Sequence, residues 1–209
     1  MSDTTLRDRS RTRTELIDAT RRLIDSSGRT RFAVKEVCDE IGYTRGAFYS
    51  SFASMDDHLV AVHERQNADL IEAVAGALVH ARSVIGDTGD LLAFVNTFIS
   101  TIAVDRGRLA LQSSLVAHAE HNPHLADQLT LERDRLRQTL EPYLLDVVDR
   151  AGRELTTDAT TFTRAVMAAQ SGAAAQLIAP DDPDDIRPLL VATTMFGLSR
   201  PRAPAPTGE

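Results

Sequence analysis

Apolar residues return every three or four positions along nearly the whole chain, and strand-like alternation is scarce. That pattern predicts an all-α protein of about nine helices. Leu16, Ala19, Thr20, Leu23 and Ile24 mark a first helix from about Thr12 to Ser27, with Gly28 just past its end. Val34, Val37, Cys38 and Ile41 mark a short second helix, which Gly42 stops because glycine takes φ > 0 without a Cβ clash. Thr44 can cap a third helix, to about Tyr49, by offering its hydroxyl to free backbone N–H groups. Phe48 and Phe52, four apart, would pack that helix on the second. Residues 1–10 show no periodicity and read as a disordered arm, either a solvated tail or a strand of Arg that touches DNA.

Ser54 can cap a long fourth helix, Met55 to about Arg82, whose first turn carries Asp56 and Asp57. His58 and His63 on it read as surface groups. A turn at 86–89 leads to an apolar fifth helix, Asp90 to Val104, and Asp105-Arg106-Gly107 leads to a sixth, about Arg108 to Glu120. Pro123 ends that helix and opens a seventh, which runs to Gly152 with Pro142 as a possible kink. The eighth, about Asp158 to Ile178, carries a stripe of small residues. The acidic turn Pro180–Pro183 precedes a ninth helix, Asp184 to Leu198, and the Pro-rich tail 200–209 reads as disordered.

The tightest pattern is Phe32–Phe52, FAVKEVCDEIGYTRGAFYSSF: helix, short turn with Gly, helix. That is the helix-turn-helix arrangement, although an ordinary αα-corner has the same outline. With Phe48 turned inward, Arg45, Gly46, Ala47, Tyr49 and Ser50 can face out. Small residues let such a helix approach a major groove, while Arg and Tyr reach phosphates or base edges. The wording IGYTRGAFYSSFASMDDHL resembles the TetR family of bacterial transcriptional regulators over about residues 11–60. Met55 stands where that family usually has Lys, and Ala33 where Ser or Thr often opens the first helix of the motif.

The resemblance implies a three-helix DNA-binding head, residues 11–54, and a helical effector-binding and dimerisation domain, residues 55–199. It implies a homodimeric repressor that binds a palindromic, double-stranded operator and is released by a small-molecule effector. Contacts to DNA would come from Arg31, Ala33, Lys35, Thr44, Arg45, Gly46, Ala47, Tyr49, Ser50 and Ser54. The dimer interface would be the last two helices of both subunits, with Ala165, Ala168, Ala169, Gly172, Ala173, Gln176, Leu190 and Met195. Phe94, Asn96, Phe98, Leu111, Gln112, Val116, Phe162, Val166, Met167 and Gln170 are candidates to line an effector pocket, with plain core packing as the competing reading of each.

Charge refines this picture. The chain carries a formal net charge of −7, which alone argues against nucleic acid. But residues 1–55 hold ten Lys and Arg against eight Asp and Glu, a net of +2, so the acidity lies in the body. Nearly every cation is Arg, suited to bidentate phosphate and guanine contacts. The single Cys38 permits no intrachain disulfide and fits a reducing cytoplasm, and no stretch is apolar enough to span a membrane. No phosphate loop, nucleophile elbow or zinc-protease motif appears, so neither an enzyme nor a cofactor is expected. His118, His121 and His124 form the one metal-like cluster, and they read as solvent-facing. Two other readings remain: a ligand- or metal-sensing helical protein whose head does not bind DNA, and a repressor controlled by a protein partner.

Overall fold

The computed structural model describes residues 2–85, 91–177 and 185–203. Its helices are α1 (Ser2–Ser27), α2 (Val34–Asp39), α3 (Arg45–Ser51), α4 (Met55–Ile85), α5 (Leu91–Thr101), α6 (Arg106–Ala119), α7 (Pro123–Arg150), α8 (Ala159–Gln176) and α9 (Arg187–Gly197). The turns expected at 86–89 and 180–183 and the expected end of the eighth helix at Ile178 lie outside the described residues. Packing divides the chain into two compact units, residues 1–69 with 105–133, and residues 70–104 with 134–209. The first unit therefore holds the expected head together with the start of α4, all of α6 and the start of α7.

In the first unit, Leu16 and Ile24 of α1, Val37 and Cys38 of α2, Phe48 of α3, and Phe52 form a core with Leu59 and Val62 of α4. Leu111 and Leu115 of α6 and Leu125 of α7 complete it. Gly107 lets α6 come close to α1, since a Cβ there would sit 2.9 Å from Asp25 Oδ1 and 3.0 Å from Ile24 Cγ2. The start of α4 is tied down by its two carboxylates. Asn122 Nδ2 donates to Asp56 at 3.1 Å, and Gln128 Nε2 donates to Asp57 at 3.1 Å. His118 Nδ1 lies 3.3 Å from Asp56. His118 is thus half-buried against a carboxylate, not solvent-facing as expected, whereas His121 and His124 are exposed.

In the second unit, Val74 and Leu78, Val95, Phe98, Ile99 and Ile102, Leu140, Leu144 and Val148, Phe162 and Val166, and Val191 and Met195 form one apolar cluster. The buried Arg187 is fully engaged there. It grips Asp185 through Nε and Nη2 at 2.7–3.0 Å and donates through Nη1 to the Ile102 carbonyl at 2.8 Å.

Three further expectations need correction. First, α1 starts at Ser2, so residues 2–10 continue a helix where a disordered arm was expected. No Gly or Pro breaks that stretch, and Arg11 supports the helix with an i,i+4 bond to Glu15 at 2.8 Å. Second, residues 200 and 201, expected as disordered tail, lie in a two-stranded antiparallel sheet, β1 (Arg153–Leu155) against β2 (Ser199–Pro201). Arg153 fastens it by donating from Nη2 to the Ser199 carbonyl at 2.7 Å. Third, His58 and His63 are buried, at 0% and 6% exposure. His58 Nε2 sits 2.7 Å from Thr20 Oγ1, and its ring meets Phe48 and Phe52 edge-on. Imidazole offers flat apolar faces as well as polar nitrogens, so it fills a core site once one nitrogen is served. Pro142 sits within a continuous α7.

Candidate nucleic-acid interface

Local chemistry shapes the turn between α2 and α3 as expected. Gly42 adopts φ +70°, and Thr44 Oγ1 accepts the Ala47 N–H at 3.2 Å, capping α3. Ala33 has no capping side chain, but Glu36 reaches back to its N–H at 2.7 Å. That bond, joined by Arg29, holds the Glu36 carboxyl below its ordinary range. Tyr43 adds a brace that sequence periodicity does not reveal. Its hydroxyl donates to Glu15 on α1, 28 residues away. The bond lowers the Glu15 pKa and raises that of Tyr43, and it pins the turn to α1.

With Phe48 fully buried, the opposite side of α3 is open. Arg45, Gly46, Tyr49 and Ser50 are exposed and Ala47 is half-buried; Tyr49 stands 58% accessible. Arg31, Ala33, Lys35 and Thr44 are exposed nearby. These residues differ in how free they are. Lys35 is engaged by Asp39, Ser50 Oγ donates to the Ala47 carbonyl at 2.8 Å, and Ser54 caps α4 through the Asp57 N–H at 3.0 Å. Among the described residues, Arg31 and Arg45 form no ion pair. Arg13, the last of four alternating arginines, donates to the Ser51 carbonyl at 3.3 Å and lies 4.3 Å over the Phe52 ring, which holds a cation at the C-terminal end of α3.

The residues expected to line a pocket are shared between the two units. Leu111 is core in the first unit, where Gln112 is half-buried and Val116 exposed. Phe98, Phe162 and Val166 are core in the second, with Phe94 and Met167 packed on them and Asn96 exposed. Gln170 is half-buried, and its Oε1 is enclosed without a partner.

Of the residues expected at a dimer interface, Ala173 and Met195 are buried within the subunit, so neither is available to a second copy. Their helices turn them toward their own core. Ala168, Gly172 and Gln176 are exposed, and Ala165, Ala169 and Leu190 are half-buried. On α9 the large exposed apolar groups are Leu189 and Phe196.

An exposed capped helix, packed through a Gly-turn on a second helix and braced by a third, defines a helix-turn-helix DNA-binding head on an all-α body. A family model described as "Bacterial regulatory proteins, tetR family" matches residues 16–62, and one described as "BetI-type transcriptional repressor, C-terminal" matches residues 87–194. The chain belongs to the TetR family of transcriptional regulators. No curated protein matches it by sequence.

Solved structures share the fold. A transcriptional regulator from Rhodococcus sp. RHA1 is 18% identical, with 89% of this chain and 94% of that one covered and a TM-score of 0.66. A regulator from Saccharomonospora viridis in complex with choline is 17% identical, with 91% and 99% covered and a TM-score of 0.60. RolR in complex with resorcinol is 17% identical, with 92% and 90% covered and a TM-score of 0.62. Among the described residues, no helix is long and apolar enough to cross a membrane.

Proposed function

We propose that this TetR-family regulator is a repressor that binds a palindromic operator as a homodimer and lets go when a small molecule occupies its body. The observation that carries the reading is the division of α3 into two faces. Phe48 anchors one in the core, while Arg45, Gly46, Tyr49 and Ser50 leave the other free to enter a major groove. Arg45 is the side chain best suited to read a base, and Arg31 and Lys35 would hold backbone phosphates. One short helix covers few base pairs, so specificity needs two copies about one turn of duplex apart, roughly 34–36 Å.

A second copy has a face to meet. The open side of α8 carries Ala168 and Gly172, small enough for close helix approach, and that of α9 carries Leu189 and Phe196. This face keeps Ala168 and Gly172 of the expected set and leaves out the buried Ala173 and Met195. The choline and resorcinol bound by two regulators of the same fold support a small polar organic molecule as effector. The test is selection of retained duplexes from a random pool, with light scattering on the same preparation. Palindromic winners bound by a dimer are the expected result. A monomer, or a protein that retains no duplex, would leave the head to another role, as in a ligand or metal sensor or a protein-controlled regulator.

A further inference from the structure

Within the first unit, one face of α4 carries polar groups where a core would ordinarily be apolar. His63, Gln66 and Asn67 stand at i, i+3 and i+4, so they share that face, and they are only 6%, 2% and 5% exposed. His63 Nδ1, Gln66 Oε1 and Asn67 Oδ1 are all enclosed without a hydrogen-bond partner. Three such atoms side by side are rare in a finished core, where buried polar groups are almost always served.

The charges of Arg108 and Asp105, at the start of α6, both act on His63. Arg108 is itself partly buried, and burial pushes its pKa down. Yet no carboxylate lies within 4.0 Å of its guanidinium among the described residues. Its one side-chain acceptor is Gln112 Oε1, at a long 3.5 Å. Asp105 Oδ1 is used instead to cap α6, accepting the Arg108 N–H at 2.7 Å. Burial together with Arg108 also keeps His63 neutral, with a pKa near 4, so the face holds a cation and neutral acceptors.

We propose that this face is the effector seat and that it takes a small organic acid bearing hydroxyl groups, the carboxylate on Arg108 and the hydroxyls on Gln66, Asn67 and His63. The inference rests on the reading of the chain as an effector-controlled regulator and names the chemistry of its ligand. Arg presents a planar fork that matches a carboxylate with two parallel bonds. Amide oxygens without partners require donors, which hydroxyls supply and a second carboxylate would not. A quaternary ammonium such as choline would set its charge against Arg108.

The test is calorimetric titration of the full chain with 2,4-dihydroxybenzoate, gluconate, resorcinol and choline. Resorcinol keeps the ring and both hydroxyls of the first acid and lacks only the carboxylate. At least one acid is expected to bind tenfold or more tighter than resorcinol or choline. Arg108→Met should erase that preference, and Asn67→Leu should weaken acid binding several-fold. Thermal melting guards against a folding artefact. Arg108→Met removes an uncompensated charge, so its melting temperature should hold or rise.

Equal or tighter binding of resorcinol or choline would overturn the proposal. So would failure of both acids at millimolar concentration, the acceptors then being served by solvent alone, or a marked fall in melting temperature for Arg108→Met. Duplex retention by the ligand-free protein separates the two failures. A protein that retains an operator and ignores both acids refutes this inference alone, whereas one that retains no duplex refutes the regulator reading beneath it.

Discussion

Two buried arginines, one in each unit, show two uses of the same side chain. Arg187 in the second unit has an acceptor for every edge it presents: both oxygens of Asp185 and the carbonyl of Ile102, at 2.7–3.0 Å. Arg108 in the first unit has, among the described residues, one long bond to Gln112 and no carboxylate within 4.0 Å. Its charge acts on His63, whose enclosed Nδ1 has no partner, where that of Arg187 is met by Asp185. A compensated charge holds a fold together, whereas an uncompensated one spends stability that a ligand can return. The second unit uses its charge as structure, and the first keeps its charge available.

The sharpest way to break that contrast is to remove each guanidinium in turn. Arg187→Ala strands the Ile102 carbonyl and leaves Asp185, a quarter exposed, without its partner. It should cost about 3 kcal/mol, the low end of the range for breaking a buried pair from one side, since water reaches Asp185. In a chain of this size the melting temperature should fall by roughly 6–12 °C. Arg108→Met should cost nothing. Equal losses for the two variants would mean that Arg108 is structural after all.

The next effect is a dependence on pH confined to the first unit. Burial depresses both His58 and His63 from 6.5 to about 4. Between those values the unfolded chain takes up protons that the folded chain refuses, so stability is lost as pH falls from about 6.5 to 4. Each ring accounts for about 3 kcal/mol across the full window. Native carboxylates held low, such as Asp57 and Asp185, add their loss below that window. Denaturant melts at pH 7, 5.5 and 4.5 should show the slope, and His58→Phe with His63→Leu should flatten it. A slope that survives both replacements would place its origin elsewhere.

These histidines mark the limit of what periodicity reveals. The turn between α2 and α3 was legible because its causes are local: Gly42 for positive φ, Thr44 for the cap, Phe48 and Phe52 for the buried side. His58 and His63 were read as surface because a hydropathy pattern scores imidazole as polar, while the partner that admits His58 is Thr20, 38 residues away. The β1–β2 pair was missed for a similar reason, since three residues give no period and their partners stand 44 to 48 residues away. The small stripe on α8 was real, but its spacing does not say which edge faces the subunit's own core. Ala173 took the inner edge and Gly172 the outer.

On the DNA side the comparison carries over to exposed cations. Arg45 forms no ion pair among the described residues, while Lys35 is engaged by Asp39. If free charge marks function here too, Arg45→Ala should weaken operator binding by about 1–3 kcal/mol and relax sequence preference at the bases it reads. Lys35→Ala should cost less and act evenly across sequences. Mobility shifts at two salt concentrations separate them, since a lost phosphate contact lowers the salt slope. An unchanged affinity for Arg45→Ala would remove that residue from the interface.

The smallest effect tests whether burial, and not bonding as such, sets the scale. Thr44 Oγ1 serves the Ala47 N–H as completely as Asp185 serves Arg187, but it does so at an exposed helix end. In Thr44→Ala water can take over the stranded N–H, so the loss should be only about 0.5–1 kcal/mol, against several for Arg187→Ala. Thr44→Ser should restore it, because the oxygen returns without the methyl. The local consequence is larger than the global one. The helix has only seven residues, too few to hold itself without its cap and its buried Phe48, so amide exchange at Ala47 and Phe48 should quicken before the melting temperature moves appreciably. If Thr44→Ala instead costs as much as Arg187→Ala, the distance of a polar group from water does not govern stability in this protein, and the uncompensated state of Arg108 loses its meaning.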